Sequence, residues 1–385
     1  MKDLINVKVI GAGPSGAILS IALSQSGCNV TLVEATSALD VINSDRTYAI
    51  THSTRRLLQK IDIWNQLLPK FNPFKRLTVV DNVLKQRFNF TLEDLYRQNS
   101  RYSAIGWIIS HRDLMNTLYE YIINDRHIDF QTSQVATFDN NNEHQSFDLI
   151  VCSDGSKSHF RSSLNIRSLD WNYRQVCIVS TILLRGIKPD QAYEIFTQDG
   201  PLALLPLGRD LYQILWTTSS INSKQILELS KSNFLEKLST ILPNHIEPDC
   251  IVNPPQSFPL HLSIATSLSK QYFILLGEAA HVLHPVAGQG LNLSIRDINS
   301  LSLILKNQSQ DSFDINYIAK RYYLLRFLDI SSIVFMTHTL VILFSSRFIL
   351  NRFVRRLTLP ILRNISIIRS LALSLMTDGL NSHPR

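Results

Sequence analysis

A chain of 385 residues, 45% of them hydrophobic, is longer than a single hydrophobic core usually serves, so disorder is excluded and two subdomains sharing an interface are expected. A formal charge of +7 and a pI near 9.2 permit an anionic ligand, an anionic membrane surface or nucleic acid as partner, and the distribution of the charge must decide. The four cysteines, Cys28, Cys152, Cys177 and Cys250, are scattered without a C-x-x-C pair, which points away from a metal centre or a disulfide framework and towards a reduced, cytoplasmic protein.

The first informative stretch is "VKVIGAGPSGAILSIALSQSGCNVTLVEA", Val7 to Ala35. It enters a strand and a glycine turn at once, so no signal peptide is expected. Val7 to Ile10 read as a buried strand, Ala17 to Ser26 as a helix and Val30 to Val33 as a second strand ending at Glu34. Between them Gly11, Gly13 and Gly16 form G-x-G-x-x-G: the first for the tight turn, the second for backbone approach to a pyrophosphate at the helix N-terminus, the third for close helix-strand packing. Glu34 is placed to accept a ribose 2′-hydroxyl and would repel a 2′-phosphate. These residues specify a dinucleotide fold and leave FAD and NAD undecided.

Farther along, "DNNNEH", Asp139 to His144, reads as a loop between strands. In "FDLIVCSDGSKSHFRSSL", Phe147 to Leu164, an apolar strand ends in Asp154-Gly155, and Arg161 falls where a helix should begin. From Trp171 to Leu262, alternating runs such as "VCIVSTILLRG" and "LYQILWTTSS" predict antiparallel strands, which could roof a ligand. "GPLALLPLG", Gly200 to Gly208, would place an apolar strand over it. The strand "YFILLG" then delivers Glu278 at its C-terminal end. The glycine-rich "GEAAHVLHPVAGQGLN" follows and feeds a helix starting near Leu291. Backbone N–H groups at such a terminus stabilise negative charge without a cationic side chain, which suits the N1–C2 carbonyl edge of a reduced flavin.

From Ile330 to Thr377 no acid occurs, while Arg347, Arg352, Arg355, Arg356, Arg363 and Arg369 stud an apolar sequence. Before Pro360 the four arginines fall within about half of a helical wheel, opposite Phe, Leu and Ile, as in a basic amphipathic helix lying in a membrane interface. The uncharged run Ile330 to Ser346 is short for a span and is expected to be a buried helix. Nucleic acid is disfavoured, because the basic residues sit among aliphatics without aromatic interleaving.

The order of GAGPSG, SDG and GEAAHVLHPVAGQGLNL resembles the flavoprotein aromatic hydroxylases. Within them, "AYEIFTQDGPLALLPL", Ala192 to Leu207, and "LHPVAGQGLNLSIRD" are similar to the polyprenylphenol hydroxylases of ubiquinone biosynthesis. The resemblance implies an α/β fold: a Rossmann-like FAD-binding domain, a mixed β-sheet substrate domain and a helical C-terminal region. The expected parts are residues 1–75, 101–170 and 266–330 for the FAD-binding domain, 76–100 and 171–265 for the substrate domain, and 331–385 for the basic amphipathic tail.

It further implies FAD bound by Gly11, Gly13, Gly16 and Glu34, with Arg46 near the pyrophosphate and Arg112 within reach of the cofactor. Asp154 and Gly155 match the second fingerprint, and Glu278 stands where many relatives have Asp on the ribityl chain. Gly288, Gln289, Gly290, Leu291 and Asn292 match the turn under the isoalloxazine, while Ser294 replaces a usual glycine. His284 and Pro285 would face the reactive edge of the ring, His284 as a proton relay. With no second G-x-G-x-x-G in the chain, NAD(P)H would bind transiently as reductant.

The implied chemistry is transfer of hydroxyl from a flavin C4a-hydroperoxide, formed with O2, to the ring of a prenylated phenol. The implied setting is a cytoplasmic protein peripherally attached to the membrane surface, within reach of a quinone-biosynthesis complex. Two other readings stand beside it: an FAD-dependent reductase or dehydrogenase of the same fold, and a non-catalytic flavin-binding subunit.

Overall fold

The computed structural model describes residues 4–95, 102–137, 146–308, 312–345 and 349–380. The loop expected at Asp139 to His144 lies outside them. Among the described residues the strands form three sheets.

The first sheet grows from the near-continuous apolar runs of the dinucleotide motif. Ile5–Ile10 lies between Cys28–Val33 and Leu149–Cys152, with Phe273–Leu275 beyond the latter, all parallel. Val7, Val9, Leu32 and the whole of Leu149–Cys152 are fully buried, as expected of parallel strands covered on both faces. Parallel strands end on one edge, so Gly11, Glu34, Ser153 and Gly277 gather there from four distant parts of the sequence. That edge is where ligands bind in such sheets.

The second sheet has eight strands. Its spine is the pair Ser168–Arg185 and Glu247–Ala265, 18 and 19 residues long, antiparallel with several register shifts that bend the ribbon. Leu211–Ser219, Pro201–Pro206 and Gln191–Phe196 continue it antiparallel, and Arg76–Asp81 then joins in parallel, carrying Gln86–Thr91 from the N-terminal half of the chain. Alternation along Pro201–Pro206 turns Leu202 and Leu204 into a core of their own with Ile178, Ile214 and Trp216. A small third sheet, Thr47–Ile50, Gly106–Ser110 and Asn72–Phe74, bridges the two.

The C-terminal region is helical, as expected, but its faces differ from the prediction. The helix Ile315–Ser345 buries only one side: Ile333 and Thr337 are enclosed, whereas Phe335 is 73% exposed. By length and composition this helix could cross a membrane. Helices Ile349–Asn364 and Ser366–Asp378 follow, bent by 98°.

Two tail arginines turn inwards rather than towards solvent. Arg355 is buried against Asp81 at 3.1 Å, and Arg369 reaches Asp94 at 2.7 Å, so the tail is clamped to the end of the strand Arg76–Asp81 and to the turn Leu92–Leu95 that follows the edge strand of the eight-stranded sheet. The predicted arginine face therefore loses Arg355, because a buried carboxylate 274 residues away claims it. Arg352 and Arg356 remain exposed, beside the exposed stripe Ile349, Leu350, Phe353 and Leu357; Arg347 lies outside the described residues.

Candidate active site

The glycine turn after the first strand is bare for a reason that can be read atom by atom. Gly11 has φ +90°, and a Cβ there would lie 2.6 Å from the Ser153 carbonyl oxygen; one on Gly16 would lie 1.8 Å from the Gly11 oxygen. Those two glycines close the turn against the sheet. A Cβ on Gly13 would meet nothing within 4 Å, so its bareness serves something outside the protein's own packing. Glu34 sits at the adjoining strand end and accepts from the Ala12 N–H at 2.8 Å and the Thr36 N–H at 3.0 Å, which fixes its carboxylate beside the turn. Asp154 accepts from the Phe160 N–H through Oδ2, and its Oδ1 is buried without a hydrogen-bond partner. Gly155 follows with φ +83°.

The second glycine-rich turn is held by a rivet. Asn292 is fully buried; its Oδ1 accepts from the Thr51 N–H and the hydroxyls of Thr51 and Thr54, and its Nδ2 donates to the carbonyls of Ala49 and Gly288. This spends every bond the side chain can make, so Asn292 shapes the turn rather than reaching outward. Ala287 and Gly288 both take left-handed backbone, φ +60° and +59°, a conformation that favours glycine and that Ala287 holds at some strain. The helix begins at Gln289, two residues earlier than the sequence suggested, and a Cβ on Gly290 would meet no protein atom within 4 Å. Ser294 hydrogen-bonds back to Gly290, filling the place of the expected glycine without disturbing the helix.

Between this turn and the eight-stranded sheet lies a cavity of about 350 Å³. Pro285, Ala287 and Gly288 to Leu291 line one side, and Ala203 and Leu205 line another, being the alternate residues of the strand whose Leu202 and Leu204 face the core. Arg46, Tyr48 and Glu278 stand at its polar parts. Leu373 and Met376 of the last helix complete the wall, so the tail belongs to the site.

His284 is placed differently from its neighbour Pro285. It is buried, its Nδ1 accepts from the Val286 N–H, its ring packs edge-on to Tyr173, and it is not among the residues lining the cavity. Burial pulls its pKa down to about 3, so the ring is neutral at physiological pH. Arg112 is exposed, its guanidinium 3.5 Å from the Asn43 side-chain oxygen, and it is not among the residues lining the cavity.

One lining residue was missed in the sequence. Glu194, in the middle of Gln191–Phe196, turns its carboxyl into the cavity, where burial pushes its pKa up to about 8. The only signal was an acid inside the apolar run "AYEIF".

Two bare glycine approaches, an anchored carboxylate at a strand end, an orphaned buried carboxylate oxygen and a lined cavity are the features a flavin dinucleotide requires. Residues 5–312 match the FAD binding domain family. The chain is 24% identical to the mitochondrial ubiquinone biosynthesis monooxygenase COQ6 of Dictyostelium discoideum, over 96% of this chain and 90% of that one. It is 26% identical to the 3-demethoxyubiquinol 3-hydroxylase of Escherichia coli, over 84% and 85%. Its fold is that of Klebsiella pneumoniae HpxO, solved with FAD and uric acid, with a TM-score of 0.74 at 17% identity over 99% and 97%. Motif, site and comparison agree that the chain belongs to the FAD binding domain family and that its cofactor is FAD.

Proposed function

We propose that this chain is an FAD-dependent monooxygenase that hydroxylates the aromatic ring of a prenylated phenol in ubiquinone or related prenylquinone biosynthesis. The observation that carries the proposal is the pairing, across one cavity, of the glycine-rich Ala287–Leu291 turn with the apolar strand face Ala203 and Leu205. A flat electron-rich ring with an apolar tail suits that space, and the similarity to COQ6 and to the demethoxyubiquinol hydroxylase supports the pathway.

Gly11, Gly13 and Gly16 would admit the pyrophosphate and Glu34 the adenosine ribose. Arg46 would counter negative charge, Glu278 would meet the polar chain, and the turn from Gly288 to Leu291 would seat the ring system. When bound and reduced by NAD(P)H, FAD activates O2 and supplies the oxygen atom. The protein orients the phenol and excludes water with Leu205, Leu215, Leu373 and Met376. Pro285 borders the place where the two rings would meet. Deleting the gene should cause a quinone precursor one hydroxyl short to accumulate in lipid extracts analysed by mass spectrometry. An unchanged quinone profile in the deletion would rule the role out.

The tail supports a peripheral membrane setting. Leu373 and Met376 face the cavity while Ile367 and Leu371 of the same helix are exposed, and the neighbouring helix exposes Phe353 and Leu357 beside Arg352 and Arg356. Each cation near an anionic leaflet contributes about 1 kcal/mol. The double variant Arg352→Glu, Arg356→Glu should therefore bind anionic vesicles at least tenfold more weakly in a sedimentation assay. Arg355 is left in place because its charge is spent on Asp81. Equal sedimentation of variant and wild type would show that the tail serves only as a cover.

A further inference from the structure

The cavity holds one carboxyl group with no function assigned to it so far. Glu194 lies at the centre of its strand, register-paired with Ala203 on one side and Val79 on the other, which fixes the face of the sheet its side chain takes. Its neighbours Tyr193 and Ile195 pack into the core on the opposite face, as the period of two requires. The remaining exposure of Glu194 opens into the cavity, towards the turn that would seat the flavin ring.

Resting on the function proposed above, we infer that Glu194 takes the phenolic hydroxyl of the substrate and accepts its proton as oxygen is added to the ring. Two features of the site favour this. The carboxyl reaches the same space as the apolar strand face Ala203 and Leu205, where an aromatic ring would lie. Its acidity is also displaced in a useful direction: burial raises it to about 8, which narrows the gap to a phenol and makes it a better base than an ordinary carboxylate.

The surrounding groups leave this work to Glu194. Arg46, Tyr48, His261 and Glu278 share the cavity. Cys177, also lining it, is pushed up to about 12, mainly by burial and in part by the charge of Glu194 itself, and so stays a thiol. On the adjoining strand, Arg76 and Asp81 stand at the two ends, and Asp81 is taken by Arg355. His284, the obvious base in the sequence, lies outside the cavity lining.

The step balances as follows. The phenolic O–H bond breaks, its electron pair stays on the ring oxygen, and the proton moves to Glu194. The enriched ring carbon gains one atom of O2 and passes its own hydrogen, as a proton, to the ring oxygen. The second oxygen atom leaves as water, taking up the proton from Glu194; the hydride of NAD(P)H and one solvent proton supply both electrons and the two remaining hydrogens, one on the new hydroxyl and one in the water.

Glu194→Gln keeps the size and polarity of the side chain and removes its basicity. In the FAD-loaded protein it should retain flavin but lose turnover of a short-chain 2-prenylphenol by about 10²–10⁴-fold, and lose the rise of kcat/KM with a midpoint near pH 8. Retention of that pH limb in the variant would overturn the assignment, even if turnover fell. A second measurement needs no turnover: affinities for the same phenol and for its O-methyl ether, read from the absorption of bound oxidised flavin. Wild type should prefer the phenol by about ten- to a hundredfold, and Glu194→Leu should bind both alike. A leucine variant that kept the preference, or that weakened both ligands equally, would overturn the assignment. If wild type showed the preference but transferred no oxygen, the hydroxylase proposal would fail while the role of Glu194 as hydroxyl acceptor would stand.

Discussion

Asp297→Ala should destabilise the protein by about 3–5 kcal/mol, a large part of the 5–15 kcal/mol that usually separates folded from unfolded chains. The carboxylate is completely buried in the helix that follows the second glycine-rich turn. Its Oδ2 accepts from His281 Nε2 at 2.6 Å and from the Gly277 N–H at 3.3 Å, and its Oδ1 accepts from Arg326 Nε at 2.6 Å. Arg326 also pairs with Asp329 at 2.8 Å, and Asp329 meets Arg296 at 3.0 Å, although the Arg296 guanidinium has no hydrogen-bond partner and is held by charge alone. Two buried acids thus balance two buried arginines. Removing one acid leaves a cation enclosed without its counterion, and it frees the loop that carries Gly277 and His281.

Burial works against the ionised form of Asp297, but His281 and Arg326 outweigh it and hold the group below the ordinary carboxylate range. The contribution of Asp297 is therefore complete above its unfolded pKa and fades only as pH drops through the lower folded value. Urea unfolding at neutral pH checks the prediction. A variant within about 1 kcal/mol of wild type would mean that the network is not a structural lock.

Gly290→Val should have the opposite signature, losing function without losing the fold. The position has ordinary helical backbone and open space where a side chain would go, and valine is no worse than glycine in a helix, so stability should change by less than about 1 kcal/mol. The branched side chain would instead project into the space assigned to the flavin ring. FAD content should fall sharply and hydroxylation by more than about a hundredfold, an effect of roughly 3 kcal/mol. Calorimetry and the flavin spectrum of the same preparation separate the two effects. A variant with wild-type flavin and product yield would show that the turn does not seat the ring.

What the sequence disclosed follows from the range of the interactions. Gly11, Gly13 and Gly16 obey steric rules set within one turn and were legible, and Gly200 to Gly208 was legible as an apolar strand, but with Leu202, Ala203, Leu204 and Leu205 all apolar, only packing decides which face the core and which the cavity. The inward turn of Arg355 and Arg369 was not, since Asp81 and Asp94 lie more than 270 residues away and an isolated wheel shows only helix geometry. The run from Ile330 looked uniformly apolar, yet only packing decides that Ile333 is enclosed while Phe335 is not. Histidine chemistry drew attention to His284, but the turn gives the cavity to Pro285 and sends His284 into a packed layer with Tyr173. Glu194 escaped notice because an acid within a strand resembles an edge residue until the Ala287–Leu291 turn is folded over it.

The most direct measurement is the fate of molecular oxygen. Purified FAD-loaded protein, given NAD(P)H, a short-chain 2-prenylphenol and ¹⁸O-labelled O2, should yield a product carrying one added ¹⁸O on the ring, with reductant consumed in equal amount. Oxidation of the reductant with no label in the phenol, all of it recovered as hydrogen peroxide or water across a panel of prenylated phenols, would contradict the hydroxylase account and favour a reductase of the same fold.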